Sequence, residues 1–273
     1  MIETDCLIDV ESLIKEVQKT NDNDVEVIVL KIHNPAFLVD YKSYDISVFG
    51  KTLTQWTKLA FENTPVTEVE CEMSDDILTV IKPHLKNKKW TAVFYADTPL
   101  LQHKTFLNIL DWVEAKHLNV LKLDRGYVFN TEFVKTAEKI YSVKEQHDFG
   151  KEDFFCVFNQ RQLATVTTAL QKRIINYHMQ NGVQFINPES TFIDADVSIG
   201  KNCIIYPNNF LQGHTILEDN VTLMPNNVIT NSKICKENKL CNCVIEDSKI
   251  KQNSAIAPFS WVVKGRKKEK IWN

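Results

Sequence analysis

Between residues 193 and 262 an aliphatic side chain recurs at a period that neither helix nor strand produces. Ile193, Ile199, Ile205, Leu211, Leu217, Leu223 and Ile229 stand six apart, a five-residue step leads to Ile234 and Leu240, and two more short steps carry the series through Ile245, Ile250, Ile256 and Val262. Helical side chains repeat every 3.6 residues and strand side chains every two. A sixfold repeat therefore calls for a coil with three flat faces, each hexad giving one short strand and one turn. With about eighteen residues per turn, the stretch predicts roughly four coils stacked at the ~4.8 Å strand spacing. The fourth position after each aliphatic residue is mostly small or polar, as at Val197, Cys203, Asn209, Thr215, Val221, Asn227, Asn238, Val244, Ser254 and Ser260. Such residues suit the tight inside corner of a triangular prism. Solenoids serve as scaffolds as well as enzymes, so the repeat specifies architecture and leaves activity open.

Upstream the pattern is different. Asp9 to Thr20 reads as an amphipathic helix, Val25 to Leu30 as a strand, and Thr52 to Asn63 as a helix that packs through Leu53, Trp56, Leu59 and Ala60. Val66 to Glu70 is a strand, Asp75 to Ile81 a short helix, and Trp90 to Ala96 a buried strand ending at Asp97. His103 to Lys116 forms a helix with Phe106, Leu107, Leu110 and Val113 inside, followed by short strands at Asn119 to Lys122 and Tyr127 to Phe129. This alternation predicts a Rossmann-like α/β domain, a mostly parallel sheet with helices on both faces. Asn159 to Asn181 is the longest helical pattern, with Leu163, Val166, Leu170, Ile174 and Tyr177 on one stripe, and Asn181-Gly182 is a C-cap signal. The domains expected are 1–158, a connecting helix at 159–182, a left-handed parallel β-helix at 183–264 and a solvated basic tail at 265–273.

A net charge of −3 leaves no basic footprint for nucleic acid. No apolar stretch approaches the ~18 residues that span a membrane. Met1 to Val10 carries three acidic residues and no basic n-region, so a cytoplasmic location is expected. Seven scattered cysteines, at 6, 71, 156, 203, 235, 241 and 243, read as reduced thiols, and Cys241 and Cys243 have no histidine at zinc-ligand spacing. Glycine is scarce. There are seven in 273 residues, against the roughly 7% of average usage. No two lie closer than thirteen residues, so neither GxGxxG nor GxxxxGK[ST] occurs.

Several segments resemble the bacterial bifunctional N-acetylglucosamine-1-phosphate uridyltransferase and glucosamine-1-phosphate acetyltransferase family, which includes UDP-N-acetylglucosamine pyrophosphorylase activity. From Leu163 to about Ser248, LATVTTALQKRIINYHMQNGVQFINPESTFIDADVSIG and VITNSKI read like its linker helix and first solenoid coils. YADTPLL (Tyr95 to Leu101) resembles its GDTPLL segment, SVFGKTLTQW (Ser47 to Trp56) its VAGKPML segment, and GYVFN (Gly126 to Asn130) a later strand. The resemblance implies a nucleotidyltransferase-like domain, Mg²⁺ as its cofactor, and lateral trimers about a threefold axis. It also makes Asp97 the counterpart of a magnesium-binding aspartate. The family's glycine-rich LAAGxGTRM loop falls at Leu30, Lys31, Ile32, His33, Asn34, Pro35, Ala36, Phe37 and Leu38. Here every glycine is replaced and Pro35 removes an N–H donor. Phe158 falls at the second metal-ligand position, where a phenyl ring offers no oxygen. No QxxGTAHA-like segment lies between Phe61 and Trp90, and the region from Leu101 to Gly126 has room for only a helix and one strand.

Three readings follow. The first is a catalytically degenerate paralogue with a structural or regulatory role, needing no cofactor. The second is an active sugar-phosphate nucleotidyltransferase of altered substrate, with Mg²⁺ on Asp97 and with Lys31, His33 and Lys42 replacing the lost phosphate-binding amides. The third is a hexapeptide acyltransferase with His214 as general base. Asp97 and His214 are thus the candidate catalytic residues and Asp97 the candidate, vestigial metal ligand. The expected partners are two further copies of the chain in a homotrimer formed through the β-helix, and a sugar nucleotide or a protein, with neither nucleic acid nor membrane. Trp112, Trp261 and Trp272 read as packing or interface residues.

Overall fold

A computed structural model describes residues 24–32, 43–62, 64–73, 75–140, 147–264 and 266–268. The predicted helix at Asp9 to Thr20 lies outside these residues. The chain divides into two compact units, Met1–Ile46 with Thr52–Leu163, and Ser47–Lys51 with Ala164–Asn273.

The first unit contains β1 (Val25–Ile32), α1 (Leu53–Lys58), β2 (Val66–Cys71), α2 (Ile77–Ile81), β3 (Trp90–Tyr95), α3 (His103–Lys116), β4 (Val120–Leu123), β5 (Gly126–Asn130) and α4 (Thr131–Thr136). The sheet order is β2-β1-β3-β5-β4. β1 runs parallel to β2 and β3, and β5 is antiparallel to both β3 and β4. An antiparallel hairpin therefore extends the edge of a parallel α/β sheet. The central strands are near-continuous apolar runs because both their faces are covered. Val25, Val27, Val29, Ala92 and Phe94 face Phe61, Phe106, Ile109 and Val113. Ile28, Leu30, Val93 and Tyr95 face Leu78, Ile81 and Val134 on the other side.

The α1 segment departs from its predicted phase. Thr52 and Gln55 form a capping box, but the helix ends at Lys58 and tightens into a 3-10 turn at Leu59–Phe61. Three residues per turn rotate the next side chains, so Leu59 is 51% exposed while Phe61 is buried. The Phe61 ring lies 4.9 Å from Phe94 and 5.1 Å from Phe106. α3 has the predicted span, with Ile109 rather than Leu107 in the core.

The long helix α5 (Gln160–Gln180) crosses the division between units along the chain. Gly182, at φ 89°, ends it. Its N–H donates to the Met179 carbonyl and that of Val183 to His178, both at 3.1 Å, the paired pattern of a Schellman cap. Tyr177, predicted on the buried stripe, is exposed, and Ile175 and His178 are buried instead. Ile174, Ile175 and Val183 join the solenoid core, and this packing sets the face that the last turns bury.

The second unit contains three sheets of short strands, each stacked in parallel as a β-helix requires. One is Ser198–Ile199, Ile216–Leu217, Lys233–Ile234 and Lys249–Ile250. The next is Gln184–Phe185, Ile204–Ile205, Thr222–Leu223 and Lys239–Leu240. The third is Phe192–Ile193, Phe210–Gln212, Val228–Thr230, Val244–Glu246 and Trp261–Val263. The aliphatic series is buried from Ile193 to Ile250 and at Val262, and half-buried at Ile256. At the inside corners Asn209, Thr215, Asn227 and Asn238 are buried. Val244, predicted at such a corner, is only half-buried, and Cys243 takes the place because the preceding step is five residues.

Buried amides join one coil to the next. Asn209 Oδ1 accepts from Asn227 Nδ2 at 2.9 Å, and Asn227 Oδ1 accepts from the Cys243 backbone N–H at 3.0 Å. The outer corners are left-handed. Asn202, Asn208, Asn220, Asn226, Asn231, Asn242 and Asn253 have φ between 46° and 64°, a region that asparagine tolerates better than other non-glycine residues. Asparagine fills positions where glycine would also fit, which is why so few glycines suffice.

Ser47–Lys51 packs within this second unit. The Phe49 carbonyl accepts from the Ala195 N–H at 2.9 Å, and Lys51 Nζ lies 2.7 Å from Asp196. Arg266–Lys268, predicted as part of a solvated tail, forms a strand antiparallel to Trp261–Val263. The turn back satisfies backbone groups that the last coil would otherwise leave at a sheet edge. Among the described residues no cysteine is disulfide-bonded and no helix is long and apolar enough to cross a membrane.

Asn227→Ala would leave the Cys243 N–H without its buried acceptor and the Met224 carbonyl with Asn209 Nδ2 alone, at 3.2 Å. Urea denaturation is expected to show a loss of about 1–3 kcal/mol, and an unchanged midpoint would show that the amide ladder does not hold the coils.

Candidate functional site: a closed crevice at the switch point

From β1 the chain moves to β2 on one side, then returns to β3 on the other side of β1. In α/β sheets such a reversal opens a crevice beyond the carboxyl ends of the two strands. The Ala96 N–H donates to the Leu30 carbonyl at 2.9 Å, joining the ends of β3 and β1. Asp97 follows immediately.

The Asp97 carboxylate is bound at both oxygens by one side chain. Arg125 Nε donates to Oδ1 at 3.1 Å and Nη2 to Oδ2 at 2.6 Å. Arg125 belongs to the two-residue turn between β4 and β5, which the pairing of Leu123 with Gly126 closes. Gly126, at φ 142°, makes the turn possible, since an added Cβ would lie 2.5 Å from the Val93 carbonyl oxygen. The guanidinium carbon is 3.9 Å from the Tyr95 ring centroid and 5.1 Å from that of Phe158. A planar cation between two aromatic faces, forked onto a carboxylate, uses each of the guanidinium's recognition modes.

The segment carrying Phe158 is fixed from two directions. The Val157 N–H donates to the Asp97 carbonyl at 3.0 Å. Asp153, buried, accepts from Gln102 Nε2 at 2.9 Å and from the Thr105 hydroxyl, which ties the segment to the start of α3.

Burial raises the Asp97 carboxyl above its ordinary value, against the pull of the Arg125 hydrogen bonds and charge. Burial opposes the charged Arg125, but the hydrogen bond and charge of Asp97 outweigh it and hold the guanidinium above its ordinary value. Burial, with the Asp97 charge second, pushes the Cys156 thiol up to about 12, so this cysteine is no thiolate nucleophile near neutral pH. Burial likewise takes Tyr95 to about 12.

These residues do not fit Mg²⁺, which needs several oxygen ligands in near-octahedral array. Both oxygens of Asp97 are engaged, Phe158 presents carbon, and the Asn159 side-chain oxygen accepts from the Gln162 N–H at 3.0 Å as the cap of α5. Among the described residues no group of three or more His, Cys, Asp or Glu gathers to hold a metal.

The other sequence candidates are elsewhere. Lys31 Nζ is 3.1 Å from Glu68 Oε2 and sits over the Tyr44 ring, and Lys58 also binds Glu68, at 2.6 Å. His33, Asn34 and Lys42 lie outside the described residues. His214 is exposed on a solenoid turn, where its backbone N–H donates to Asn231 Oδ1 at 3.1 Å. Arg125 was missed by the sequence reading. Its local signal is only an arginine in a short turn, 28 residues from the acid it binds.

Arg125→Ala would leave Asp97 buried without a cation, and the burial that raises its carboxyl would be opposed only by a backbone hydrogen bond. The folded state would then hold its proton to higher pH than the unfolded chain, so stability falls as pH rises above the ordinary carboxyl value of ~4. The expected loss is about 3–5 kcal/mol near neutral pH, shrinking on acidification toward that value. Urea midpoints at the two pH values measure this, and a pH-independent loss would show that Asp97 is not the group left exposed to the change.

No protein-family model matches the chain. Among curated proteins it is similar to the bifunctional protein GlmU of Clostridium botulinum (strain Eklund 17B / Type B), 31% identical over 241 residues that take in 65% of this chain and 53% of that protein. It is 27% identical over 242 residues to GlmU of Clostridium kluyveri, with the same shares covered. GlmU of Clostridium acetobutylicum is 39% identical over 111 residues, 41% of this chain and 24% of that protein. The chain spans about half the length of the first two of these relatives. The matches bear out the resemblance read from the sequence: over these stretches the chain is similar to GlmU.

Proposed function

We propose that the chain is a catalytically degenerate relative of UDP-N-acetylglucosamine pyrophosphorylase, whose nucleotidyltransferase-like unit has a structural or regulatory role in the cytoplasm. The observation that carries this reading is the forked Asp97–Arg125 pair. Nucleotidyl transfer depends on positioning phosphates and neutralising their charge, chiefly with a metal ion. Here a guanidinium covalently attached to the same unit neutralises the carboxylate instead. The substitution of all glycines between Leu30 and Leu38, with Pro35 among the replacements, supports the same reading by removing a backbone cradle for phosphate.

Titration with UTP or UDP-N-acetylglucosamine in the presence of Mg²⁺ is expected to give no micromolar binding isotherm. Pyrophosphate release from UTP and N-acetylglucosamine-1-phosphate should stay at the buffer rate. Mg²⁺-dependent turnover that Asp97→Ala abolishes would overturn the reading in favour of an active nucleotidyltransferase.

The β-helix unit is proposed to form a homotrimer, as the family resemblance implies, and the partner of the degenerate unit is then a protein. Light scattering at micromolar concentration is expected to give three times the chain mass of 31.5 kDa, and a monomer would contradict it.

A further inference from the structure

The C-terminal half of α5 and the loop that enters the first coil enclose a groove of about 930 Å³, wholly within the second unit. Thr168, Lys172, Ile175 and Met179 line it from the helix, at the three- and four-residue spacing that puts side chains on one face. Ile186 to Glu189 form the facing wall. Gln171 holds that wall in place, its Nε2 donating to the Glu189 carbonyl at 3.1 Å and to the Thr191 carbonyl at 2.7 Å. Asn187 Oδ1 accepts from the Glu189 N–H at 3.2 Å and caps the 3-10 turn at Pro188–Ser190. Ile175, 2% exposed, is the floor. Both walls are therefore fixed by the fold itself, without an occupant.

We infer that this groove docks an extended segment of a partner protein, one with an aliphatic side chain at one end and an acidic and a basic residue side by side at the other. The inference rests on the proposed structural or regulatory role with a protein partner, and it names where that partner binds. Met179 and Ile186 make the apolar end, 40% and 48% exposed. Lys172 and Glu189 make the charged end, since Gln171 anchors the Glu189 backbone and Lys172 is the next residue along the helix. Among the described residues neither Lys172 nor the Glu189 carboxylate has an ion-pair partner.

Spacing and charge both specify the occupant. Lys172 and Met179 are seven residues apart, about 10 Å along a helix that rises 1.5 Å per residue. An extended chain covers that distance in about three residues at ~3.3 Å each. Its successive side chains point to opposite sides, so an adjacent acid and base reach Lys172 on the helix wall and Glu189 on the loop wall together. Between the two ends lie Asn176, whose amide has no hydrogen-bond partner among the described residues, and Asn187. Their side chains offer donors and an acceptor to a peptide unit. A phosphorylated ligand would meet the Glu189 carboxylate beside the one lysine of the lining, whereas a segment carrying both signs answers both charges.

Fluorescence anisotropy on the full chain tests this with three fluorescein-labelled, end-capped peptides: Leu-Ser-Thr-Asp-Arg, its reverse Arg-Asp-Thr-Ser-Leu, and Ser-Ser-Thr-Ser-Gln as control. One of the first two is expected to bind with a Kd of about 0.1 mM, and the control at least about tenfold more weakly. Lys172→Glu is expected to weaken binding about tenfold, and the same peptide with Lys in place of Asp should bind that variant more tightly than wild type. Met179→Asp should also weaken binding, while Lys239→Glu, exposed on the solenoid, should bind as wild type. Lys172 and Met179 are exposed, so the far-UV circular dichroism of both variants is expected to be unchanged. Failure of both charged peptides to bind, or binding that Lys172→Glu and Met179→Asp leave intact, overturns the docking site and leaves the degenerate reading to the UTP titration. Displacement of the peptide by UDP-N-acetylglucosamine, or self-association that Met179→Asp abolishes, gives the groove to another occupant and overturns the inference.

Discussion

A carboxylate buried at the end of a strand has to be answered by a cation or by several donors, because desolvation otherwise drives it to protonate. At Asp97 the answer is Arg125, and much of the first unit is arranged around delivering it. The β4–β5 hairpin must turn in two residues, Gly126 must hold a φ that places β5 against the Val93 carbonyl, and the segment at 153–158 must bring Phe158 beside the guanidinium. Each is a backbone constraint set by neighbouring strands rather than by the ion pair itself. The pair therefore inherits a fixed geometry, and its side-chain ordering is supported by the surrounding sheet and aromatic rings. A metal ion competing for Asp97 would have to displace a cation attached to the same fold.

The second unit obeys a separate constraint. A three-sided coil must reverse direction three times per turn, and each outer corner needs a residue that accepts left-handed backbone. Glycine does so without steric cost but enlarges the conformational freedom lost on folding. Asparagine accepts the same region, and its amide can also bond to the next coil, as Asn208 does to Asn226 at 3.2 Å and Asn226 to Asn242 at 3.0 Å. The scarcity of glycine thus has two different meanings along one chain. In the solenoid asparagine substitutes for it, whereas around Lys31 to Leu38 neither residue supplies a comparable series.

The solenoid core was legible because its signal repeats: thirteen aliphatic positions reinforce one another, and a local irregularity such as the five-residue step before Ile245 moves one corner from Val244 to Cys243 without disturbing the rest. The strands of the first unit were legible for a related reason, as both faces of β1 and β3 demand apolar side chains. Helix phase was less so. Leu59 and Tyr177 left their predicted stripes where a 3-10 turn and a change of packing partner reset the rotation. Arg125 was not legible, because its role depends on a sheet pairing that carries a turn residue to an acid distant in sequence. The strand at Arg266–Lys268 was hidden likewise, since its basic composition describes side chains while its pairing is a backbone event.

The residues that hold the fold and those that meet at Asp97 are different sets. The columns that hold each unit together point inward, and neither Asp97 nor Arg125 belongs to the cluster of Val27, Phe94 and Phe106 around which the sheet packs. The same division holds in the β-helix, where Ile193, Leu211, Ile229, Ile245 and Val262 fix the coil while the adjacent outward column does not. Outward positions carry no such duty, which is why exposed Phe210 and Ile216 stand on the same stack as exposed Lys239 and Lys249 without disturbing the coil.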